Sequence, residues 1–414
     1  MRFFTSSLMK PADETELARL IAEAVENRMP VEIRGNGTKQ GIGRPAQAGA
    51  AIDMSGFSGI TLYEPTEMVM SAKAGTPLAL VEDRLSAQGQ MLAFEPLDLG
   101  SLGGLPAGRG TIGAVFMTNM SGARRVNAGA ARDHLLGIQA INGRAERFKS
   151  GGRVMKNVTG VDLCRGLAGS WGTLAAATEV TFKVLPKPQE TRTLVFLGLH
   201  DDIAIEVMCA AMGTPFEITG ACHLQAPMVR RLRDPRLNTQ DQPMTFLRLE
   251  SFSSFLPQRV ARLKDLFKAY GDIHELGDEA SRTVWGELRE VSFLERGAQT
   301  APLPVWRIST APMSGAKVVR ALSAYMPCAA VYDWSGGLIW LEVPATTDAG
   351  ATDVRRVMAT HGGHATLMRA DPAVRAGVDV FQPLAPGLQR LSRGLKAAFD
   401  PAGILNPGRM YVNA

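Results

Sequence analysis

The hydrophobic positions at the start of the chain change from a helical period to a strand period. One set of apolar residues follows the i, i+3, i+4, i+7, i+8 spacing: Leu17, Leu20, Ile21, Ala24 and Val25. This spacing predicts an amphipathic helix over residues 14–28. Asp13, with Glu16 three residues later, is a typical helix start. The apolar–polar alternation of residues 31–33 then predicts a short strand that runs into a glycine-rich segment.

Further apolar runs predict strands and helices along the rest of the chain. In the first part we expect a helix at 77–88 and strands at 50–54, 60–64, 67–74, 135–142, 145–149 and 176–185. Pro186 and Pro188 then mark a boundary. Beyond it we expect strands at 192–198, 244–250, 305–310, 328–333, 338–343 and 364–369. The helices expected there lie at 201–212, 256–270, 315–325, 350–361 and 385–399.

Composition excludes several classes of protein. Of the 414 residues, 45% are hydrophobic and 21% are charged, and 45 Lys and Arg against 40 Asp and Glu give a net charge of +5. This composition supports a buried core and excludes wholesale disorder. No apolar run reaches the length of about 18 residues that a membrane-spanning helix needs. The basic excess is mild and lacks interleaved aromatics, which argues against nucleic-acid binding.

The four cysteines, Cys164, Cys209, Cys222 and Cys328, stand far apart in the sequence, without a Cys-x-x-Cys pair. This spacing excludes the usual iron–sulfur cysteine motifs in this chain. We expect four free thiols in a reducing, cytoplasmic compartment.

Two glycine-rich loops could hold phosphate groups. RGNGTK at residues 34–39 follows a strand, and its Gly-x-Gly can expose consecutive backbone N–H groups. Gln40 stands where the dinucleotide-binding βαβ fingerprint has a third glycine, so that motif is excluded. GRGTIG at 108–113, with NMSG at 119–122, offers a second set of polar groups. Either loop alone is more typical of a tight turn, whereas the two together favour a dinucleotide pyrophosphate.

Six segments form a longer ordered pattern: RGNGTK (34–39), the strand–glycine–helix segment 68–88, GTIGAVFMTNMSG (110–122), residues 129–163, GSWGTLAAATEVTFKVLP (169–186) and KAAFDPAGILNPGRMY (396–411). This ordered set resembles the FAD flavoproteins of the vanillyl-alcohol oxidase and p-cresol methylhydroxylase type, over roughly half of the chain. Three further segments, LRLES (247–251), VWRIST (305–310) and HGGHATLMRA (361–370), resemble the FAD-binding subunits of bacterial glycolate oxidase.

The resemblance implies an α+β fold built from a bipartite FAD-binding domain and an inserted cap. We expect the p-cresol methylhydroxylase-type FAD-binding domain at 1–188 and an α+β cap on the substrate side at 189–379. The C-terminal segment 380–414 is expected to return to the FAD domain.

The resemblance also implies which residues bind FAD. The pyrophosphate is expected at the backbone of Arg34, Gly35, Asn36, Gly37, Thr38 and Lys39. The pyrophosphate and the isoalloxazine are expected at Gly110, Thr111, Ile112, Gly113, Asn119, Ser121 and Gly122. The adenosine end is expected at Gly172, Thr173, Leu174, Glu179 and Val180. Several relatives carry a flavin-linking histidine at the position of Thr38, so we expect non-covalent FAD here; attachment through His361 or His364 is the alternative.

Oxidation of a 2-hydroxy acid needs a cation for the carboxylate and a base for the hydroxyl proton. Arg307 and Arg248 on predicted cap strands are candidates for the cation, because a guanidinium donates two parallel bonds to a carboxylate. Each could instead pair with a neighbouring carboxylate. His364 is a candidate base or a structural residue. No metal site is expected, and the adjacent His-His pair of some flavin dehydrogenases is absent.

By resemblance, the chain is expected to be the FAD-binding subunit of a complex that oxidises glycolate or a similar short 2-hydroxy acid. Its partners would be a sister FAD subunit and an iron–sulfur subunit that receives electrons. The complex would be cytoplasmic or bound to the inner membrane through partners. Two alternatives stay open: a self-sufficient FAD-dependent 2-hydroxy-acid dehydrogenase, and a non-catalytic scaffold subunit.

Overall fold

A computed structural model describes residues 8–154, 161–295 and 301–412. The chain divides into two compact units. The first contains the residues up to Ser121, Gly129–Lys187 and the residues from Pro383 onward; the second contains Gly122–Ala128 and Pro188–Gln382. The expected boundaries at 188 and 379 lie close to these, but the inclusion of 122–128 in the second unit was not expected. Residues 155–160, part of the fourth segment of the sequence pattern, lie outside the described residues.

The N-terminal part of the chain contains ten strands and six helices within the described residues. In chain order these are β1 Leu8–Met9, α1 Glu14–Glu26, β2 Val31–Arg34, β3 Ala50–Asp53, β4 Ile60–Glu64, β5 Val69–Lys73, α2 Leu78–Ser86, β6 Gln90–Met91, α3 Ile112–Thr118, α4 Arg125–Ala128, α5 Ala131–His134, β7 Leu135–Asn142, β8 Arg147–Gly151, α6 Leu163–Leu167, β9 Ala175–Lys183 and β10 Leu185–Pro186. Of these, α4 belongs to the second unit.

The first unit is built on two main sheets. Strands β1, β3 and β2 form a parallel sheet, and β4, β5, β9, β7 and β8 form an antiparallel sheet in that order. The predicted helix start is confirmed, because the Asp13 carboxylate accepts hydrogen bonds from the backbone N–H groups of Thr15 and Glu16. Ile404 and Leu405 of the C-terminal segment are buried in the core beside α1 and β2.

A bulge in β9 decides which side chains face which core. Gln139 of β7 pairs with Glu179, but the next residue, Ala140, pairs with Ala177, so Thr178 is the extra residue. An extra residue reverses the alternation of side chains along a strand. Ala175 and Ala177 therefore share a core with Val180. Glu179 points to the opposite side, where it accepts a hydrogen bond from Gln139.

The second unit contains the strands and helices of the predicted cap. In chain order these are β11 Glu190–Leu197, α7 Asp201–Met212, β12 Ile218–Leu224, α8 Ala226–Val229, α9 Pro235–Asn238, β13 Met244–Ser251, α10 Leu256–Phe267, β14 Ile273–Leu276, α11 Asp278–Glu290, β15 Val305–Ser309, α12 Gly315–Ser323, β16 Ala329–Asp333, β17 Leu338–Glu342, α13 Ala351–His361, β18 His364–Arg369 and α14 Pro372–Gly377. The chain then enters α15, Pro386–Phe399, in the first unit.

One antiparallel sheet of eight strands, in the order β14, β11, β13, β12, β16, β17, β15, β18, organises the second unit. In β15, Trp306 and Arg307 point to opposite faces, because side chains alternate along a strand. Trp306 is fully buried, and the Arg355 guanidinium of α13 stacks over its ring at 5.0 Å. The other face carries Arg307. No helix of the described residues is long and apolar enough to cross a membrane.

Candidate functional site

The first unit contains a cleft of about 720 Å³, partly open to solvent, at the end of strand β2. Its lining combines the first glycine loop with small residues of α3 and β9. The lining residues are Ile33, Arg34, Gly35, Asn36, Gly37, Thr38, Lys39, Gln40, Met54, Ala74, Thr111, Gly113, Ala114, Met117, Thr118, Trp171, Gly172, Ala175, Ala177 and Arg409. A cleft with backbone groups on one wall and apolar groups on another suits a nucleotide cofactor.

The first glycine loop exposes unpaired backbone donors. Within the described chain, the backbone N–H groups of Asn36, Gly37 and Thr38 donate no hydrogen bond. Gly37 has φ of +80°, a left-handed conformation that favours glycine. A Cβ on Gly35 would lie 2.8 Å from the Thr111 Oγ1 atom. Successive N–H groups of this kind form a concave anion site, as a pyrophosphate requires.

Close backbone packing shapes the two walls beside this loop. A Cβ on Gly113 would lie 2.6 Å from the Ala74 Cβ atom and 2.7 Å from the Ala74 carbonyl oxygen, so α3 approaches β5 only through glycine. On the other wall, Gly172 has φ of +71°, and a Cβ there would lie 2.7 Å from the Asn406 Nδ2 atom. Both glycines allow close packing of the walls of the cleft that a side chain would prevent.

The C-terminal segment completes the cleft through Arg409. Its Nη2 atom donates to the carbonyl oxygen of Lys39 at 2.7 Å, and its Nη1 atom lies 3.4 Å from a Glu32 carboxylate oxygen. The guanidinium also lies over the Trp171 ring, 5.8 Å from its centre. Neither Arg409 nor Trp171 was predicted to line the cleft. Their signals were the NPGRM stretch of the tail and the tryptophan between Ser170 and Gly172.

About half of the residues expected to bind cofactor line this cleft. They are Arg34, Gly35, Asn36, Gly37, Thr38, Lys39, Thr111, Gly113 and Gly172. The others are not among the lining residues: Gly110, Ile112, Asn119, Ser121, Gly122, Thr173, Leu174, Glu179 and Val180.

The residues outside the lining have local structural contacts. The Asn119 side chain accepts from the Arg132 backbone N–H, and the Ser121 hydroxyl accepts from that of Ala131. A Cβ on Gly110 would lie 2.5 Å from the Asp98 Oδ1 atom. The bulge at Thr178 turns Glu179 away from the core that Val180 shares.

The second unit contains a cluster of cationic and aromatic side chains around Arg307. In the sheet register, Arg307 is opposite Trp340 on β17, and Ser309 is opposite His364 on β18. Opposite residues share a face, so Arg307, Trp340 and His364 lie on one side of the sheet. The guanidinium of Arg307 lies 5.1 Å from the centre of the Trp334 ring, and that of Arg125 lies 4.3 Å from it.

In the part of the chain that the structure describes, Arg307 forms no salt bridge, although the carboxylate of Asp333 acts on it electrostatically. Its Nε atom is buried without a hydrogen bond, and no side-chain hydrogen bond or ion pair forms to it within the described chain. Burial and the positive charge of Arg125 lower the pKa of Arg307 to about 10, partly opposed by Asp333. Burial, Arg307 and Arg125 likewise lower the pKa of His364, which is therefore neutral at pH 7. The cluster can accept an anion beside a neutral imidazole.

Arg248, the other candidate for the carboxylate cation, has its interactions inside the protein. Its Nε atom lies 3.4 Å from a Glu250 carboxylate oxygen, its Nη2 atom donates to the Thr219 carbonyl oxygen at 2.9 Å, and it stacks over Trp285. Arg124 forms two further hydrogen bonds to Glu250 at 2.6 and 2.7 Å. Although burial opposes it, the two arginines lower the pKa of Glu250 to about 2. For Arg248, the alternative of pairing with a carboxylate holds.

His361 ends α13, and His364 begins β18 after two glycines with positive φ. Among the residues that the structure describes, no group of three or more His, Cys, Asp or Glu side chains could hold a metal ion.

Comparison with known proteins gives a consistent result. The sequence model of a family described as FAD binding domain matches residues 5–151. The chain is 31% identical over 405 residues to glycolate oxidase subunit GlcE of Escherichia coli K12, covering 96% of this chain and 97% of the relative. It is 26% identical over 433 residues to glycolate oxidase subunit GlcD of Bacillus subtilis 168, covering 98% and 89%. A crystal structure of p-cresol methylhydroxylase with bound substrate has a TM-score of 0.70 at 13% identity, covering 98% and 88%.

Proposed function

Because this chain belongs to the FAD-dependent oxidoreductases with the p-cresol methylhydroxylase-type fold, in the family of glycolate oxidase subunit GlcE, we propose that it takes part in oxidising glycolate or a similar short 2-hydroxy acid to the 2-oxo acid. The family acts on CH–OH groups and uses FAD. We further propose that the chain works in a complex, with a sister FAD subunit and an iron–sulfur subunit that receives the electrons.

The observation that carries the substrate proposal is the unpaired guanidinium of Arg307. Arg307 is half-buried, and its buried Nε atom has no hydrogen bond, so a bound anion that pairs with the guanidinium would be favourable. The planar donor fork of arginine matches a carboxylate, and two parallel bonds fix its orientation. Trp334 and Trp340 bound the guanidinium and limit the ways in which a carboxylate can reach it. These features support a small carboxylate as the ligand.

His364 is the proposed base for the substrate hydroxyl. Its lowered pKa leaves the imidazole neutral at pH 7, ready to accept a proton. The two arginines that lower this pKa would be partly neutralised by the substrate carboxylate, so binding would make the imidazole more basic. When bound, FAD would supply the acceptor for the hydride that leaves the carbon carrying the substrate hydroxyl.

We propose that FAD is held without a covalent bond, through the backbone of the 34–39 loop. Thr38 offers a hydroxyl where several relatives have a flavin-linking histidine, and its side chain is buried at the lining of the cleft. Acid precipitation of the purified chain tests this directly. Flavin in the supernatant is the expected result, and flavin retained in the pellet would contradict it.

The substrate proposal is tested with Arg307→Ala and Arg307→Lys in the assembled complex. Loss of charge-assisted bonds to the carboxylate is worth about 1.5–3 kcal/mol, so we expect kcat/KM for glycolate to fall about 10- to 100-fold in the alanine variant. Lysine keeps the charge but not the planar donor fork, so we expect kcat/KM of the lysine variant to lie between those of the wild-type chain and the alanine variant. Dye reduction by glycolate and by D-lactate gives the kinetics, and flavin absorbance gives the cofactor content.

The matched control is Arg230→Ala, because Arg230 of the same unit pairs with Asp241 at the surface. A substrate role and a structural role differ in their effect on stability. Removing an unpaired buried cation should leave the melting temperature unchanged or raise it, whereas a structural arginine would lower it. Unchanged kcat/KM in Arg307→Ala, with FAD bound, would refute the substrate proposal.

A further inference from the structure

The turn between β16 and β17 has an unusual backbone. Trp334, Ser335 and Gly336 have φ of +51°, +58° and +95°, so three successive residues have positive φ. Turns of this kind normally contain glycine, asparagine or aspartate, because a larger side chain is strained there. Trp334 is also buried, with 7% of its surface exposed. Strained residues persist only where the surrounding structure holds them, and they cluster at ligand sites.

Two hydrogen bonds hold Trp334 in this conformation. Its backbone N–H donates to the Asp333 carboxylate at 2.7 Å, and its indole N–H donates to the Gly122 carbonyl oxygen at 2.9 Å. Gly122 begins the segment 122–128, which belongs to the second unit although residues of the first unit precede and follow it in the sequence. The indole is therefore bonded directly to the segment that carries Arg125 on α4.

Two cations lie against the same indole. The Arg125 guanidinium lies 4.3 Å from the centre of the ring, and that of Arg307 lies 5.1 Å from it. Like charges repel, and burial together with the charge of Arg125 lowers the pKa of Arg307. The face of an aromatic ring attracts cations, and that of tryptophan attracts them best. Trp334 thus supplies an attraction that offsets the repulsion between the two guanidinium groups.

We propose that Trp334 is a positioning residue of the substrate site, whose indole holds Arg125 beside Arg307 so that both guanidinium groups act on the bound carboxylate. The inference rests on the proposed function, since it requires a substrate carboxylate at Arg307. It adds a second cation to the site and names the residue that places it. The carboxylate of Asp333 offsets one of the two positive charges, so the remaining charge matches the single carboxylate of a short 2-hydroxy acid.

The test is Trp334→Phe in the assembled complex, with glycolate oxidation measured by dye reduction across a range of pH. Phenylalanine keeps an aromatic ring but cannot donate to Gly122, so Arg125 is held less well. We expect KM for glycolate to rise about 2- to 10-fold, the effect of one hydrogen bond, with little change in kcat and with FAD still bound.

The pH profile gives a readout that a merely structural role would not change. Burial, Arg307 and Arg125 lower the pKa of His364, so release of Arg125 removes one of these causes. We therefore expect the acidic limb of kcat/KM to move to higher pH in Trp334→Phe.

Trp306→Phe is the matched control. Trp306 is fully buried in the same unit, its indole N–H donates to the Ala349 carbonyl oxygen at 2.8 Å, and the Arg355 guanidinium lies over its ring. The substitution removes an equivalent hydrogen bond beside an equivalent cation, on the face of the sheet opposite Arg307. We expect a lower melting temperature and an acidic limb at the wild-type pH.

Arg125→Ala separates positioning from general damage to the fold. This variant alone should raise KM and move the acidic limb, and it keeps the proposal testable if Trp334→Phe does not fold. If Trp334 acts through Arg125, adding Trp334→Phe to the Arg125→Ala variant should change KM no further.

The outcomes distinguish this proposal from the proposed function. Additive effects of the two substitutions, or an acidic limb that Trp334→Phe and Arg125→Ala leave in place, would overturn the positioning role while a loss of kcat/KM in Arg307→Ala upholds the substrate site. If Arg307→Ala also leaves kcat/KM unchanged, the substrate site fails and the positioning role with it.

Discussion

Replacing Gly37 by alanine isolates the conformational requirement of the loop that we assign to the pyrophosphate. Gly37 has φ of +80°, and the added Cβ would lie 2.8 Å from the Gln40 Oε1 atom. A left-handed conformation costs a non-glycine residue about 1–2 kcal/mol. Gln40 can move away, but its hydrogen bonds to the Glu32 carboxylate at 3.2 and 3.3 Å would be lost, at about 0.5–1.5 kcal/mol.

The two contributions together amount to about 1.5–3.5 kcal/mol, or about 10- to 400-fold in the Kd for FAD if the loop relaxes in the apoprotein. If the loop keeps its conformation, the same free energy is lost from the stability of the apoprotein. Gly37→Val adds a branched Cβ at the same position and is expected to purify without flavin.

Flavin fluorescence titration of the apoprotein and urea unfolding measure the two possibilities in one set of samples. Gly41→Ala is the control, since Gly41 lies in the same loop region without positive φ and its added Cβ would meet nothing within 4 Å. If Gly37→Ala matches Gly41→Ala in both FAD affinity and stability, the assignment of this loop to the cofactor fails.

Two further predictions concern pH. The folded-state pKa of Glu250 is about 2, below the unfolded value of about 4.3. Its ion pairs therefore contribute about 3 kcal/mol to the free energy of unfolding above about pH 5, and this contribution is lost as the pH falls toward 2. Urea unfolding at several pH values should show this loss in the wild-type chain but not in Glu250→Gln. The lowered pKa of His364 places the acidic limb of the kcat/KM profile below about pH 6.5, and His364→Gln should abolish that limb without loss of FAD.

Regular elements could be predicted from the sequence where apolar spacing was strong. The helix at 201–212 is confirmed as α7, Asp201–Met212, and the start of α1 at Asp13 is confirmed by its hydrogen bonds. α11, Asp278–Glu290, was missed because its few apolar residues, such as Val284 and Trp285, are separated by charged residues and Gly286. A helix of this kind is stabilised by tertiary contacts, here the hydrogen bond from the Trp285 indole to Thr193.

The place of the 34–39 loop at the cleft could also be predicted, because the glycines at 35 and 37 indicate backbone that other groups can approach closely. The wall of the cleft opposite this loop could not be predicted in the same way. Glu179 was expected at the adenosine end from the family resemblance alone. The extra residue at Thr178 reverses the alternation of side chains along β9, and the Glu179 side chain accepts a hydrogen bond from Gln139. Bulges leave no reliable trace in the pattern of apolar residues. The contact of Arg409 with Lys39 joins residues 370 positions apart, which spacing along a sequence cannot reveal.

Arg248 and Arg307 make the strongest argument about function when they are compared with each other. Both lie on strands of the same sheet, and each guanidinium stacks over a tryptophan, at 4.4 Å and 5.1 Å from the ring centre. Arg248 has Glu250 as its counter-ion, and the pair lowers the pKa of that carboxyl. Arg307 forms no salt bridge within the described residues, and burial together with the charge of Arg125 lowers its pKa, an effect that Asp333 only partly opposes. Removal of a guanidinium from water costs several kcal/mol. For Arg248 the fold offsets this cost internally; for Arg307 a bound carboxylate would offset it, so substrate binding should stabilise the second unit in the wild-type chain and not in Arg307→Ala.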